Sequence, residues 1–130
     1  MSETAAYAVF ETSSGAQIHR IPLQAFPKFW AYVYVIRMDG ANILIDSGSG
    51  TEVSHEDLLK GLRLVGLQPS DLSHILLTHA HIDHYGGLSK LKPLTPAKIG
   101  CHELDLQTVA HHEARLALIG RRLASFLTET

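Results

Sequence analysis

Three histidines and one aspartate lie within six residues of the stretch T-H-A-H-I-D-H-Y-G-G, which runs from Thr78 to Gly87. The histidines are His79, His81 and His84, and the aspartate is Asp83. Imidazole nitrogens bind zinc, copper, iron or nickel, and a carboxylate adds a harder oxygen ligand. Alternate side chains of an extended chain point the same way, so the first two imidazoles can converge on one point.

This pattern is too specific to be explained by composition. H-x-H-x-D-H is expected by chance about 0.002 times in a chain of this length and histidine content. A solvated polar loop explains it badly, because nothing in a loop selects imidazole at three fixed positions. The two glycines that follow, Gly86 and Gly87, permit the bend that brings all four donors together. The stretch therefore predicts a metal site, with room for two metals.

The elements that must position this site can be predicted from periodicity and turn residues. Aromatic and β-branched residues predict strands, and the pair Asp39-Gly40 predicts a tight turn. Ser54 is predicted to cap a helix, with Asp57 completing a capping box and Gly66 ending it. The predicted strands span residues 7–11, 16–23, 29–38, 42–45, 74–78 and 99–101.

These elements predict one α/β (α+β) domain over residues 1–130. It comprises a β-rich part at 1–50, a helix at 54–66, a strand plus metal loop at 74–87, and a helical tail at 104–127.

Composition excludes several classes of protein. The net charge of -2 gives no reason to expect a nucleic acid or an anionic membrane as partner. The one cysteine, Cys101, excludes a disulfide framework. The longest apolar run, 29–36, is too short to span a bilayer, and no signal peptide is recognisable. We expect a cytoplasmic protein that acts on a small molecule.

The sequence T-H-A-H-I-D-H resembles the signature of the metallo-β-lactamase superfamily. The hairpin ending I-L-I-D-S-G, the strand I-L-L-T before the motif and G-G-L after it resemble the same family, and the likeness runs from about Ile18 to Glu103. The resemblance implies an αββα sandwich with the metal site at one edge of its two sheets. Only the N-terminal half of that sandwich is expected in this chain.

The resemblance also implies roles for individual residues. His79 and His81 would bind a first zinc ion, and Asp83 and His84 a second. Iron or manganese also fits such ligands. Asp46, with Thr78, would support the histidine loop without binding metal. The alternative for Asp46 is a turn aspartate that holds local backbone amides.

The implied activity is metal-assisted hydrolysis of an ester, thioester, lactone, lactam or phosphodiester. Water at the metals loses a proton near neutral pH and attacks the substrate, and the catalytic Asp83 orients it and later carries a proton. The motif supplies two ligands for each metal, whereas a catalytic zinc usually has three. The missing ligands leave three alternatives: a fragment of a longer hydrolase, which we favour; a homodimer or a complementing C-terminal half; or a degenerate, non-enzymatic metal-binding half-domain.

Overall fold

A computed structural model describes residues 6–78 and 86–101. These residues form a six-stranded sheet whose strands lie in chain order, which confirms the predicted α/β class. The predicted tail at 104–127 lies outside the described residues. None of the helices in the two described ranges is long and apolar enough to cross a membrane. The strands are β1 (Ala8–Glu11), β2 (Gln17–Phe26), β3 (Phe29–Met38), β4 (Ala41–Ile45), β5 (His74–Leu76) and β6 (Lys98–Gly100); the helices are α1 (Glu52–Val65) and α2 (Leu88–Leu91).

The directions of the strands determine which residues meet at the site. β1 to β4 pair antiparallel, while β5 pairs parallel to both β4 and β6. The β3–β4 hairpin turns at Asp39-Gly40, where Gly40 has a φ of 78°. Because parallel strands end at the same edge of a sheet, the residues after β4 lie beside those after β5. The Asp46 N–H donates to the Leu76 carbonyl at 2.8 Å and continues this pairing beyond β4.

One face of the sheet carries the hydrophobic core. Alternate residues of β2 and β3 point to this face, so Leu23, Val33 and Val35 are fully buried. Helix α1 covers it with Leu58 and Leu62, each worth about 1.5–3 kcal/mol when buried. The core continues with Ile21, Leu44, Val65, Leu67, Leu72, Ile75, Leu77, Leu88 and Leu91. Leu44 and Ile75, which are paired across β4 and β5, both belong to this core.

The predicted N-cap at Ser54 is wrong, and α1 begins two residues earlier. Thr51 is the N-cap, and its side chain accepts from the Ser54 N–H at 3.2 Å. Ser54 is fully buried, and its hydroxyl accepts from the Ser49 N–H at 3.1 Å. Asp57, expected to complete a capping box, accepts instead from the Gln24 N–H on β2 at 2.9 Å. The predicted end at Gly66 is confirmed by its φ of 91°.

A buried histidine ties the edge strand β1 to the sheet. His19 is 6% exposed, and its Nδ1 lies 2.6 Å from the Tyr7 hydroxyl. Its Nε2 lies 3.3 Å from the Gln17 side-chain oxygen. A neutral ring satisfies both contacts, since Nδ1 accepts from Tyr7 and Nε2–H donates to Gln17. Burial, with a smaller contribution from the Arg37 charge, lowers the pKa of His19 below its usual 6.5.

This lowered pKa predicts a loss of stability in acid. The unfolded chain binds a proton at His19 near pH 6.5, whereas the folded chain resists that proton until the pH falls further. The free energy of unfolding therefore decreases as the pH drops below 6.5, by at most about 1.4 kcal/mol per pH unit from this residue. Urea unfolding in chelator should show a shallower pH dependence for His19→Gln than for wild type. Equal slopes would refute the assignment.

Candidate metal centre

The site is organised by the five residues that follow β4, Asp46-Ser47-Gly48-Ser49-Gly50, here called the β4 loop. Its first, third and fifth residues have left-handed backbones, with φ of 67° at Asp46, 80° at Gly48 and 88° at Gly50. Glycine adopts such a φ without a Cβ clash, and aspartate tolerates it better than most residues. The first four residues are buried. This backbone path is held by contacts on several sides.

The Asp46 carboxylate fastens the start of the histidine segment. Its Oδ1 accepts from the Thr78 N–H at 2.8 Å, and its Oδ2 accepts from the Thr78 hydroxyl at 2.8 Å. Asp46 is 4% exposed, so these are bonds to a buried charge. Thr78 directly precedes His79, and the contact therefore fixes the backbone at which residues 79–85 begin. These bonds join the residue that follows β4 to a residue two positions past the end of β5.

The end of the same segment is held by the same loop. The Gly87 N–H donates to the Gly48 carbonyl at 2.9 Å. Gly86 and Gly87 are both buried, and α2 begins immediately after them. The described residues on either side of 79–85, Thr78 and Gly87, are therefore both bonded to the β4 loop.

The four predicted metal ligands, His79, His81, Asp83 and His84, lie outside the described residues. Within the described ranges no cluster of three or more His, Cys, Asp or Glu side chains could hold a metal ion. The structure thus describes the supporting pair Asp46 and Thr78.

A serine and threonine network that the sequence analysis missed joins the β4 loop to the β2–β3 hairpin. The Ser49 hydroxyl donates to the Ala25 carbonyl, and the Thr51 hydroxyl reaches the same oxygen at 3.3 Å. Ala25 lies where the register between β2 and β3 shifts. Such irregularities leave backbone groups unpaired by the ladder. No periodicity signals these contacts, because they join residues more than twenty positions apart.

An ion pair joins the two helices that flank the site. Lys90 on α2 donates to Glu52 on α1 at 2.6 Å, and this bond lowers the pKa of Glu52. His55, one turn along α1, has a buried Nδ1 with no hydrogen-bond partner among the described residues. Burial, then the charge of Lys90, lowers the pKa of His55. The pair links α2, which follows Gly87, to α1, which follows the β4 loop, but its contribution to stability is small because the Glu52 side chain is 83% exposed.

Comparison with known proteins identifies related sequences. A family model described as the metallo-beta-lactamase superfamily matches residues 31–122, more than two thirds of the chain. The chain is also similar to a hydroxyacylglutathione hydrolase of Xanthomonas axonopodis pv. citri (strain 306), at 34% identity over 97 residues. The match covers 73% of this chain and 34% of that protein. The chain spans about a third or less of the length of the first curated relatives that it matches.

Solved structures share the fold. The metallo-beta-lactamase family protein TTHA1429 from Thermus thermophilus matches with a TM-score of 0.62 and 30% identity, over 78% of this chain and 36% of that one. The class B3 di-zinc metallo-beta-lactamase LRA-12 from an Alaskan soil metagenome matches with a TM-score of 0.57 and 24% identity, over 70% of this chain and 32% of that one. The second likeness supports the fold alone.

The Asp46–Thr78 contact predicts coupled losses of stability. Thr78→Val removes the hydroxyl that donates to Asp46. The free energy of unfolding should fall by only about 1 kcal/mol, because Thr78 is exposed and water can donate to the Asp46 oxygen in its place. Asp46→Asn should cost about 2 kcal/mol or more, since it replaces a buried carboxylate acceptor with an amide. The double variant should cost less than the sum. Thr78→Ser retains the hydroxyl and serves as control; strictly additive losses in urea unfolding would contradict the contact.

Proposed function

Because the chain belongs to the metallo-β-lactamase superfamily, we propose that it carries the metal loop of a hydrolase that uses two zinc ions. His79 and His81 hold one ion, and Asp83 and His84 hold the other. The observation that supports the proposal is that the β4 loop is bonded to the described residues on both sides of 79–85. Asp46 holds Thr78 at one end, and Gly48 holds Gly87 at the other.

The residues present fit zinc. Three imidazoles and one carboxylate are donors that zinc accepts, and iron or manganese would fit the same mixed set. Ordering a segment that contributes four ligands costs free energy when the metals bind, and this cost weakens binding. Fixed ends reduce that cost. Asp46 contributes by holding the backbone next to His79, through the Thr78 amide and hydroxyl.

The chain's own residues would then act on water and substrate. Bound zinc supplies Lewis acidity and lowers the pKa of water to about 7. The Asp83 carboxylate accepts a hydrogen bond from the attacking water and orients it toward the substrate carbon or phosphorus. The same carboxylate takes the proton released by that water and passes it to the leaving group. The imidazoles of His79, His81 and His84 remain neutral, as ligation requires.

The substrate class is an ester, thioester, lactone, lactam or phosphodiester. The similarity to a hydroxyacylglutathione hydrolase supports the thioester in particular. We propose that the substrate is a small molecule. We also propose a cytoplasmic site of action, since a single cysteine provides no disulfide framework. The groups that select among these substrates belong mainly to parts of the domain other than the loop that holds the metals.

Metal content and hydrolysis test this proposal. The full-length protein should contain about two zinc ions per chain by elemental analysis and hydrolyse generic thioesters or esters. His81→Ala should lose at least one metal and lower kcat/KM by a factor of about 100 or more, roughly the contribution of a catalytic metal group. His74→Ala is the matched control, because His74 is exposed at the start of β5. A metal-free wild type after reconstitution, or His81→Ala indistinguishable from His74→Ala, would refute the proposal.

A second observation supports a partner surface on the sheet face opposite α1. On this face Ile18, Ile36 and Ile43 form one cross-strand row, and Tyr34, Ile45 and Leu76 form another. Leu76 is 41% exposed, and Phe10, opposite Ile18, is 50% exposed. Contiguous exposed apolar surface of this kind marks interaction sites. We propose that a complementing C-terminal half covers this face. A second copy of the chain is the alternative partner. The alternative function for the chain is that of a degenerate metal-binding half-domain.

The association state of the 130-residue chain tests the partner surface. We expect this face to need a partner. Without the complementing half the chain should self-associate, so that sedimentation of the chain alone gives species heavier than 14.3 kDa. Leu76→Gln should reduce this association, because it adds an amide to the apolar face. Leu64→Gln on α1, where the leucine is 63% exposed, is the matched control. A compact, stable monomer would contradict the need for a partner.

A further inference from the structure

We propose that Gly50 and Gly87 are positioning residues of the metal site, acting through direct backbone contact between the β4 loop and the end of the ligand segment. This inference rests on the proposed function, because it concerns the same metals. The glycine contact would support the metal site in addition to the contact that Asp46 makes with Thr78. The contact is built from main-chain atoms and therefore depends on the absence of two side chains.

Gly50 faces the backbone of Gly86. A Cβ atom placed on Gly50 would collide with the Gly86 carbonyl oxygen and lie 3.0 Å from its carbonyl carbon. Real Cβ atoms do not come this close to backbone, and neither group can rotate away as a flexible side chain can. The φ of 88° at Gly50 adds a second reason for glycine.

Gly87 makes the reciprocal contact. A Cβ atom on Gly87 would collide with the Ser47 carbonyl oxygen and lie 2.9 Å from its carbonyl carbon. Gly87 has an ordinary φ of -73°, so only space requires glycine here. Its N–H also donates to the Gly48 carbonyl at 2.9 Å. Any side chain at either position must therefore push the β4 loop and the Gly86-Gly87 backbone apart.

Gly15 does not share this property. Gly15, in the turn before β2, has the same φ of 88° as Gly50 but nothing within 4 Å of an added Cβ. Gly15→Ala thus reproduces the backbone strain of Gly50→Ala without its collision. The comparison separates the steric contact from the conformational preference of glycine.

The glycine contact should affect mainly the second pair of proposed ligands, Asp83 and His84. Asp83 and His84 precede Gly87 by four and three residues in the sequence, whereas His79 and His81 precede it by eight and six. We infer that the glycine contact controls the metal held by Asp83 and His84 more than the metal held by His79 and His81.

Cobalt substitution in the full-length protein tests the inference. Gly87→Ala and Gly50→Ala should each weaken the affinity for Co²⁺ by about 10- to 100-fold, the range found when groups that orient metal ligands are altered. They should also change the visible d–d spectrum of the more weakly held ion. Gly15→Ala should bind and absorb like wild type. Urea unfolding in chelator reports whether each apo variant is folded.

The outcomes separate this inference from the proposed function. A wild type that binds no Co²⁺ refutes the proposed function. A wild type that binds, together with folded glycine variants of equal affinity and spectrum, refutes only the positioning role.

Ser54→Ala keeps the inference testable if both glycine variants fail to fold. It adds no atoms and removes the hydroxyl that accepts from the Ser49 N–H in the β4 loop. It should weaken Co²⁺ binding several-fold, and unchanged binding in a folded Ser54→Ala protein would also overturn the proposal.

Discussion

The packing of the β4 loop against both ends of the histidine segment is the constraint on which the rest of the structure depends. Two polar contacts from Asp46 hold Thr78, and one backbone bond from Gly87 reaches Gly48. The Asp46 bonds are accepted by its carboxylate, and only the Gly87 bond joins main chain to main chain. The loop has left-handed residues at three alternate positions, two of them glycines. The sheet, the helices and the hairpin keep the β4 loop in contact with Thr78 and Gly87.

The surrounding structure offsets the unfavourable backbone conformation of Asp46. A non-glycine residue with a left-handed backbone is less stable by about 1–2 kcal/mol, so Asp46 in this conformation is unfavourable taken alone. Its buried charge also needs partners, because an unpaired carboxylate in the interior is costly. The Thr78 amide and hydroxyl meet that need. Asp46 thus combines an unfavourable backbone conformation with a side chain that bonds to Thr78, two residues past the end of β5.

Local signals account for much of the fold, and non-local contacts account for what the sequence did not reveal. The strand 29–38, the turn at Asp39-Gly40 and the helix end at Gly66 were predictable, because each depends on residues adjacent in the chain. The helix start was not, since Thr51 and Ser54 are both good caps by residue type. Ser54 is taken by the Ser49 amide, and Asp57 by the Gln24 amide. Both are tertiary contacts that no spacing rule contains.

The same distinction applies to the site. Residue types alone indicate metal chemistry at His79, His81, Asp83 and His84, because imidazole and carboxylate donors in that spacing have few other uses. Residue types do not reveal that Gly50 meets Gly86, since a glycine in a motif can serve a turn, a close approach or neither. The predicted donors therefore lie in one segment, and the residues bonded to Thr78 and Gly87 on either side of it lie in a loop roughly thirty residues earlier. Under the proposed function, a substitution in the β4 loop would alter metal binding without changing a ligand, because this loop contacts the described chain on both sides of the ligand segment.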